Sequence, residues 1–203
     1  MANTFTDATT AAAAAVGDRL VTVTVAKTYL GVSGSDDDAL IASMVEAATD
    51  AMEAEAARHL VSTSRTEIVD GSGQRRLYLA EPPESVTTVH QHSDQAWADA
   101  NLVDADDYDL DGCCLDYRSR IWTAGRHNTR VVYLAGFATV PDDLVIACQR
   151  QVSAYYAWWL VDKMGLGVLK SQTVEGWAQS FRARVDLEPD VAAICAKHRP
   201  GRL

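Results

Sequence analysis

Val131-Val132-Tyr133-Leu134-Ala135-Gly136-Phe137, then Val140-Pro141-Asp142-Asp143-Leu144, carries the chain from a strand into a helix. The first run is apolar and β-branched, fits a pleated surface, and closes at a glycine. Pro141 suits a first helical turn, because its missing N–H would have no partner there. Two aspartates follow, where the positive end of the helix favours them. Leu144, Val145, Ala147, Cys148, Val152, Tyr155, Tyr156, Trp159 and Leu160 then make residues 141–163 a helix that is apolar on a wide arc, and Gly165 and Gly167 stop it.

Upstream, Thr22 or Thr24 can cap a short helix over about 24–30, with Gly31 just past its end. Ser35 to Asp38 offer cap oxygens and negative charge to a second helix, over about 37–60. There Leu40, Ile41, Met44, Val45, Ala48 and Met52 recur at intervals of three and four, while Glu46, Asp50, Glu53 and Glu55 lie mostly off that stripe. Between the two long helices, residues 64–137 read as β-rich. Thr66–Asp70 and Arg76–Leu79 flank Gly71-Ser72-Gly73 as a hairpin. Val86–His90, Tyr108–Leu110, Cys114-Leu115 and Ile121-Trp122 read as further short strands, and Thr129–Phe137 as the strongest one. Residues 1–19 read as a flexible leader. Residues 166–203 read as an arm with a short helix over 189–197 and a basic end at Arg199 and Arg202.

The chain has 203 residues, enough for one domain with an appended arm. Its net charge of −10 repels a phosphate backbone, which argues against wrapping nucleic acid but permits a pore through which it slides. Apolar runs fall short of the ~20 residues a membrane helix needs. The four cysteines, Cys113, Cys114, Cys148 and Cys195, include no CxxC pair and read as free thiols.

Catalytic motifs are missing: there is no G-x-S-x-G, no phosphate-binding glycine loop, and Gly165-Leu166-Gly167 ends a helix rather than opening one. Asp107, Asp109, Asp111 and Gly112 match the first half of a calcium loop, yet its twelfth position is Arg118, a cation where a bidentate acid is required. An acidic solvated hairpin is the plainer reading. His90 and His92 would face one side of a strand without a third ligand, and read as surface histidines. Tyr155, Tyr156, Trp158 and Trp159 are denser than one core stripe needs. Consecutive helical positions diverge by about 100°, so some of these rings must leave the core face. Trp177 and Phe181, four apart, raise the same choice between core and interface.

Four pieces in this order resemble the head-tail connector (adaptor, or head completion) proteins of tailed phages. They are Val23–Val32 with Tyr29-Leu30-Gly31, Asp37-Asp38-Ala39-Leu40-Ile41 with Ala47-Ala48, Ala135-Gly136-Phe137 with Val140–Leu144, and Leu169–Trp177 with Lys170-Ser171. The long Ala-rich leader, Arg58-His59-Leu60 and the acidic 99–128 stretch depart from the family pattern.

Periodicity and resemblance together lead to a definite expectation. The fold expected is mainly α with a small inserted antiparallel β-structure (α+β): a helical bundle with two long helices and a C-terminal arm. Residues 20–165 would be the adaptor domain and 166–203 the docking arm. The resemblance implies a non-enzymatic virion protein of the phage neck, assembled in the host cytoplasm. It would form a homo-oligomeric ring, commonly dodecameric, between the portal protein and a stopper or tail protein, and double-stranded DNA would pass through its channel unbound. No cofactor or metal is implied. Portal docking or subunit contact falls to Trp158, Trp159, Lys170, Ser171, Trp177, Phe181, Arg199 and Arg202. A channel or platform loop falls to Asp104, Asp106, Asp107, Asp109 and Asp111. A metal- or calcium-binding module or enzyme built on Asp107, Asp109 and Asp111 is the rival reading, and a stopper or tail terminator is another.

Overall fold

In the computed structural model, residues 19–95, 97–164, 171–174, 177–180 and 186–200 are described. Thr22 caps α1 (Val23–Leu30), its hydroxyl accepting from the Val25 N–H at 3.2 Å, and Gly31 closes the helix at φ 69°. Helix α2 (Asp38–Ala56) follows. Its first acid serves a tertiary contact rather than a cap: the Asp38 carboxylate pairs with Lys27 of α1. Ile41, Val45, Ala48 and Met52 are fully buried, the face that the period of three and four marks out. The helix stops at Ala57 in the left-handed region (φ 53°), short of Leu60.

Six strands come next: β1 (Thr63–Gly71), β2 (Arg76–Tyr78), β3 (Pro83–Gln91), β4 (Tyr108–Asp111), β5 (Cys114–Tyr117) and β6 (Gly125–Ala135). Helix α3 (Asp142–Lys163), the strand pair β7 (Ser171–Val174) and β8 (Trp177–Ser180), and α4 (Pro189–Lys197) complete the order.

Among the described residues the chain is a balanced α+β fold, which corrects the expectation of a mainly α helical bundle. Two antiparallel three-stranded sheets, ordered β1-β6-β3 and β2-β5-β4, stand beside four helices. They enclose a hydrophobic core of their own, with Leu77, Leu115, Trp122, Val131, Tyr133 and Ala135 at its centre. Trp122 and Tyr117 rings meet at 4.3 Å between centroids. A sheet pair that buries such aromatics is a layer in its own right, not an ornament between helices.

The hairpin expected across Gly71-Ser72-Gly73 is corrected too. β1 pairs with β6, from Thr63↔Ala135 to Val69↔Thr129, while β2 pairs with β5. The apolar β6 gains more by pairing on both sides than its short neighbours gain by pairing locally. Ile121-Trp122 is a loop rather than a strand.

The helical layer has a separate core, in which Leu20, Ile41, Val45, Met52, Leu144, Val152 and Val191 meet. The two layers join where Val61 bridges Phe137. Gly136 sits there at φ 96°, and a Cβ would lie 2.2 Å from the Val61 carbonyl oxygen. This close crossing accounts for the Ala135-Gly136-Phe137 motif.

Candidate functional site

Helix α3 changes character along its length. Its first half buries Leu144, Ala147, Cys148, Gln151 and Val152. From Ser153 to Met164 none of the residues is buried among the described residues, although this half holds Tyr155, Tyr156, Trp158, Trp159, Leu160 and Val161. Trp158 is 40% exposed and Met164 70%. Tyr156 and Trp159 stack at 5.5 Å, the Tyr156 hydroxyl donates to Asp37, and Lys163 lies over the Trp159 ring at 4.6 Å. Tyr155, Tyr156 and Trp159 pack, half-buried, against the helical core, whereas Trp158 and Met164 face outward as exposed apolar side chains.

Helix α4 is part of the helical layer. Val191 and Cys195 are fully buried, and Gln151 of α3 binds the segment before α4, accepting from the Glu188 N–H at 2.8 Å. Arg199 donates to the carbonyl of Glu55 and pairs with its carboxylate. Beside it His198 pairs with Asp143 at 3.0 Å and meets the Phe137 ring edge-on. Arg199, expected on a partner, thus has contacts within the chain, with its side chain 51% exposed. Ser171 opens β7 and Trp177 opens β8. Lys170, Phe181 and Arg202 lie outside the described residues.

The acidic stretch folds as a hairpin of β4 and β5, with Gly112 at φ 58° in its turn. Arg118, the residue at odds with a calcium loop, is the cation of this site. It grips Asp109 at 2.6 and 3.0 Å and donates to the Asp106 carbonyl at 3.0 Å. These bonds hold the Asp109 carboxyl below its ordinary range. Asp111 pairs with Arg76 at 3.4 Å. Among the described residues no three His, Cys, Asp or Glu side chains are grouped to hold a metal.

One further expectation changes. His90 is 5% exposed, so it is not a surface histidine; its partner across the sheet is Arg130. The buried thiols are inert: burial pushes Cys148 up to about 12 and Cys195 up to about 11, which keeps both protonated at neutral pH. No described helix is long and apolar enough to cross a membrane.

The residues that sequence reading overlooked are those pinning loop 118–127. Asn128, 3% exposed, accepts from the Gly71 N–H at 2.7 Å and donates to the Thr123 carbonyl at 2.8 Å. Gln91 accepts from the Thr123 N–H and donates to Thr129. Trp122, fully buried, donates its indole N–H to Leu115. A polar residue before a strand looks alike in sequence whether it is solvated or buried; only Gly71 and Gly125, where a Cβ would run into Thr123 and Asn128, hinted at close packing.

Residues 19–200 match a family model described as head completion protein. Solved structures share the fold. A chain from the virion of a native gene transfer agent (GTA) particle has a TM-score of 0.60 at 19% identity, covering 93% of this chain and 94% of its own. A chain from the neck of an empty GTA particle, computed with C6 symmetry, gives 0.58 at 17%, covering 89% and 90%. One from the neck of a native GTA particle, computed with C12 symmetry, gives 0.54 at 19%, covering 91% and 95%. No curated protein sequence matches the chain.

Proposed function

The chain belongs to the head completion protein family, and on that premise we propose that it is a structural protein of a virion neck that assembles as a ring between the portal and the next neck or tail protein. The observation that carries this reading is the outward apolar face at the end of α3, where Trp158 is 40% and Met164 70% exposed. A free monomer gains nothing from holding these side chains in water, whereas burying apolar surface stabilises by roughly 25 cal/mol per Å². Similar folds in GTA necks computed with C6 and C12 symmetry support the ring, and the latter supports twelve copies.

In this proposal Trp158 and Trp159 make subunit contacts. Portal docking belongs to the segment between α3 and α4, which holds Lys170, Ser171, Trp177 and Phe181, because α4 and Arg199 are engaged within the chain. The acidic surface lets DNA slide through the channel without sticking, since like charges repel. The role is structural rather than catalytic. The test is the mass of Trp158→Asp beside the unaltered chain, each alone and with the portal protein. Loss of assembly with an unchanged melting temperature is expected; assembly by the variant as by the unaltered chain would overturn the assignment.

A further inference from the structure

In a chain with 28 acidic and 18 basic side chains, the stretch from Arg118 to Arg130 holds four arginines and no acid. Loop 118–124 and the first residues of β6, together the 118–127 loop segment, are exposed except for Trp122, and Ile121 stands 58% exposed on it. The loop is held from beneath by the Asn128, Gln91 and Trp122 hydrogen bonds, and by the Trp122 N–H donating to Gln74 at 2.8 Å. Buried polar networks of this kind fix one conformation. They seat Trp122 in the core of the β layer and, in doing so, also fix the outward shape of the loop.

Arg118 and Arg76 are neutralised by Asp109 and Asp111. Among the described residues Arg120 and Arg126 pair with no carboxylate. Before β4, the Asp104 carboxylate caps the Asp106 N–H at 3.0 Å, Arg118 donates to the backbone carbonyls of Asp106 and Asp107, and the carboxylates of Asp104, Asp106 and Asp107 form no ion pair among the described residues. The order β2-β5-β4 puts the Trp122 end of the loop, whose backbone N–H donates to Gln74 beside β2, across the sheet from these acids, while Arg118 at its start stays on the β4 side, bonded to the Asp106 and Asp107 carbonyls. Two strand spacings, about 10 Å, separate the Trp122 end from the acids. The side chains of Arg120 and Arg126 on one patch and of Asp104, Asp106 and Asp107 on the other make no ion pair within one copy, among the described residues, and the two patches are complementary in charge.

We propose that loop 118–127 of one copy docks on the Asp104–Asp107 flank of a second copy of this chain, Arg120 and Arg126 facing Asp104, Asp106 and Asp107 around Ile121. The exposed isoleucine fits a protein surface better than a phosphate backbone, because interfaces place apolar and arginine side chains together. Two different patches in contact make a head-to-tail interface, which closes into a ring by rotation. The inference rests on the assembly reading above and supplies it with a second contact, on the β layer.

The experiment uses two full-length variants, Arg120→Glu/Arg126→Glu and Asp106→Arg/Asp107→Arg, followed by sedimentation over a concentration series and by native mass spectrometry. Each alone should need about tenfold or more protein to assemble. An equimolar mixture should recover assembly, in complexes that contain both variants equally. Thermal melts matching the unaltered chain establish that both fold; should either melt early, Arg120→Gln/Arg126→Gln replaces it, with a smaller loss expected. Assembly by either charge-reversed variant at the concentrations of the unaltered chain would overturn the proposal, as would a mixture no better than its components. A loop variant that assembles normally but loses affinity for a 30-base-pair DNA duplex would reassign the loop to nucleic acid. If Trp158→Asp abolishes assembly and the loop variant does not, this inference fails and the assembly reading stands. If the unaltered chain assembles under no condition, both fail.

Discussion

Arg199 and Glu55, 144 residues apart, close the helical layer: the arginine Nε donates to the Glu55 carbonyl oxygen at 2.8 Å, and its guanidinium pairs with the same residue's carboxylate. Glu55 stands in the last turn of α2, where free carbonyls and the negative end of the helix favour a cation. The end of α4 is thereby tied to the end of α2.

Arg199→Ala should therefore weaken the fold rather than a partner contact. The expected loss is about 1 kcal/mol, the worth of one hydrogen bond with partial charge assistance. Urea unfolding measures it, and portal binding per folded molecule should not change.

Asn128→Ala removes a side chain that satisfies the Gly71 N–H and the Thr123 carbonyl. Leaving buried groups unpaired costs about 1–3 kcal/mol each. The predicted result is a clear drop in the urea midpoint, and faster hydrogen exchange across residues 118–127 than in α2.

Glu81, 8% exposed, takes the His59 N–H at 2.9 Å, lies 2.9 Å from the His59 ring nitrogen, and pairs with Arg65. Burial pushes its carboxyl up, and the His59 hydrogen bonds with the charges of His59 and Arg65 outweigh that, leaving it below the ordinary range. A lowered acid stabilises the fold above its unfolded pKa, and that stability is lost as pH falls through the folded value. Stability should hold at pH 6 and decline below about pH 4. Glu81→Gln should be weaker at neutral pH and should lose less on acidification, as read from thermal melts.

Thiol labelling should separate the cysteines by burial. Cys148 and Cys195 are fully buried and held protonated, whereas Cys113 is half-buried. A thiol reagent at neutral pH should modify Cys113 first, and Cys148 and Cys195 only on unfolding. Prompt labelling of Cys195 in the native chain would mean that α4 opens easily.

Local patterns were legible in the sequence where chemistry repeats along the chain. The stripe of α2, the Thr22 and Gly31 ends of α1 and the glycine of Ala135-Gly136-Phe137 all carry a short-range signal. The weight of the β layer was underread: β4 and β5 were legible as short strands, but the polar first half of β6 and the burial of Trp122 and Tyr117 in a second core were not. Pairing was misread because β1 finds its partner some sixty residues away, beyond any local turn signal. The overlooked loop shows the same limit: Asn128 and Gln91 count as buried only once strands far apart in sequence are assembled. In the acidic run, Arg118 was legible as a cation at odds with a calcium loop, but the ion pair that it makes with Asp109 was not.

The mass of the purified chain, alone and with its portal protein, by native mass spectrometry, tests the central claim most directly. The account predicts a closed oligomer, free or portal-bound, that Trp158→Asp reduces to monomer without lowering the melting temperature. A chain that remains monomeric at every concentration and ignores the portal would contradict it.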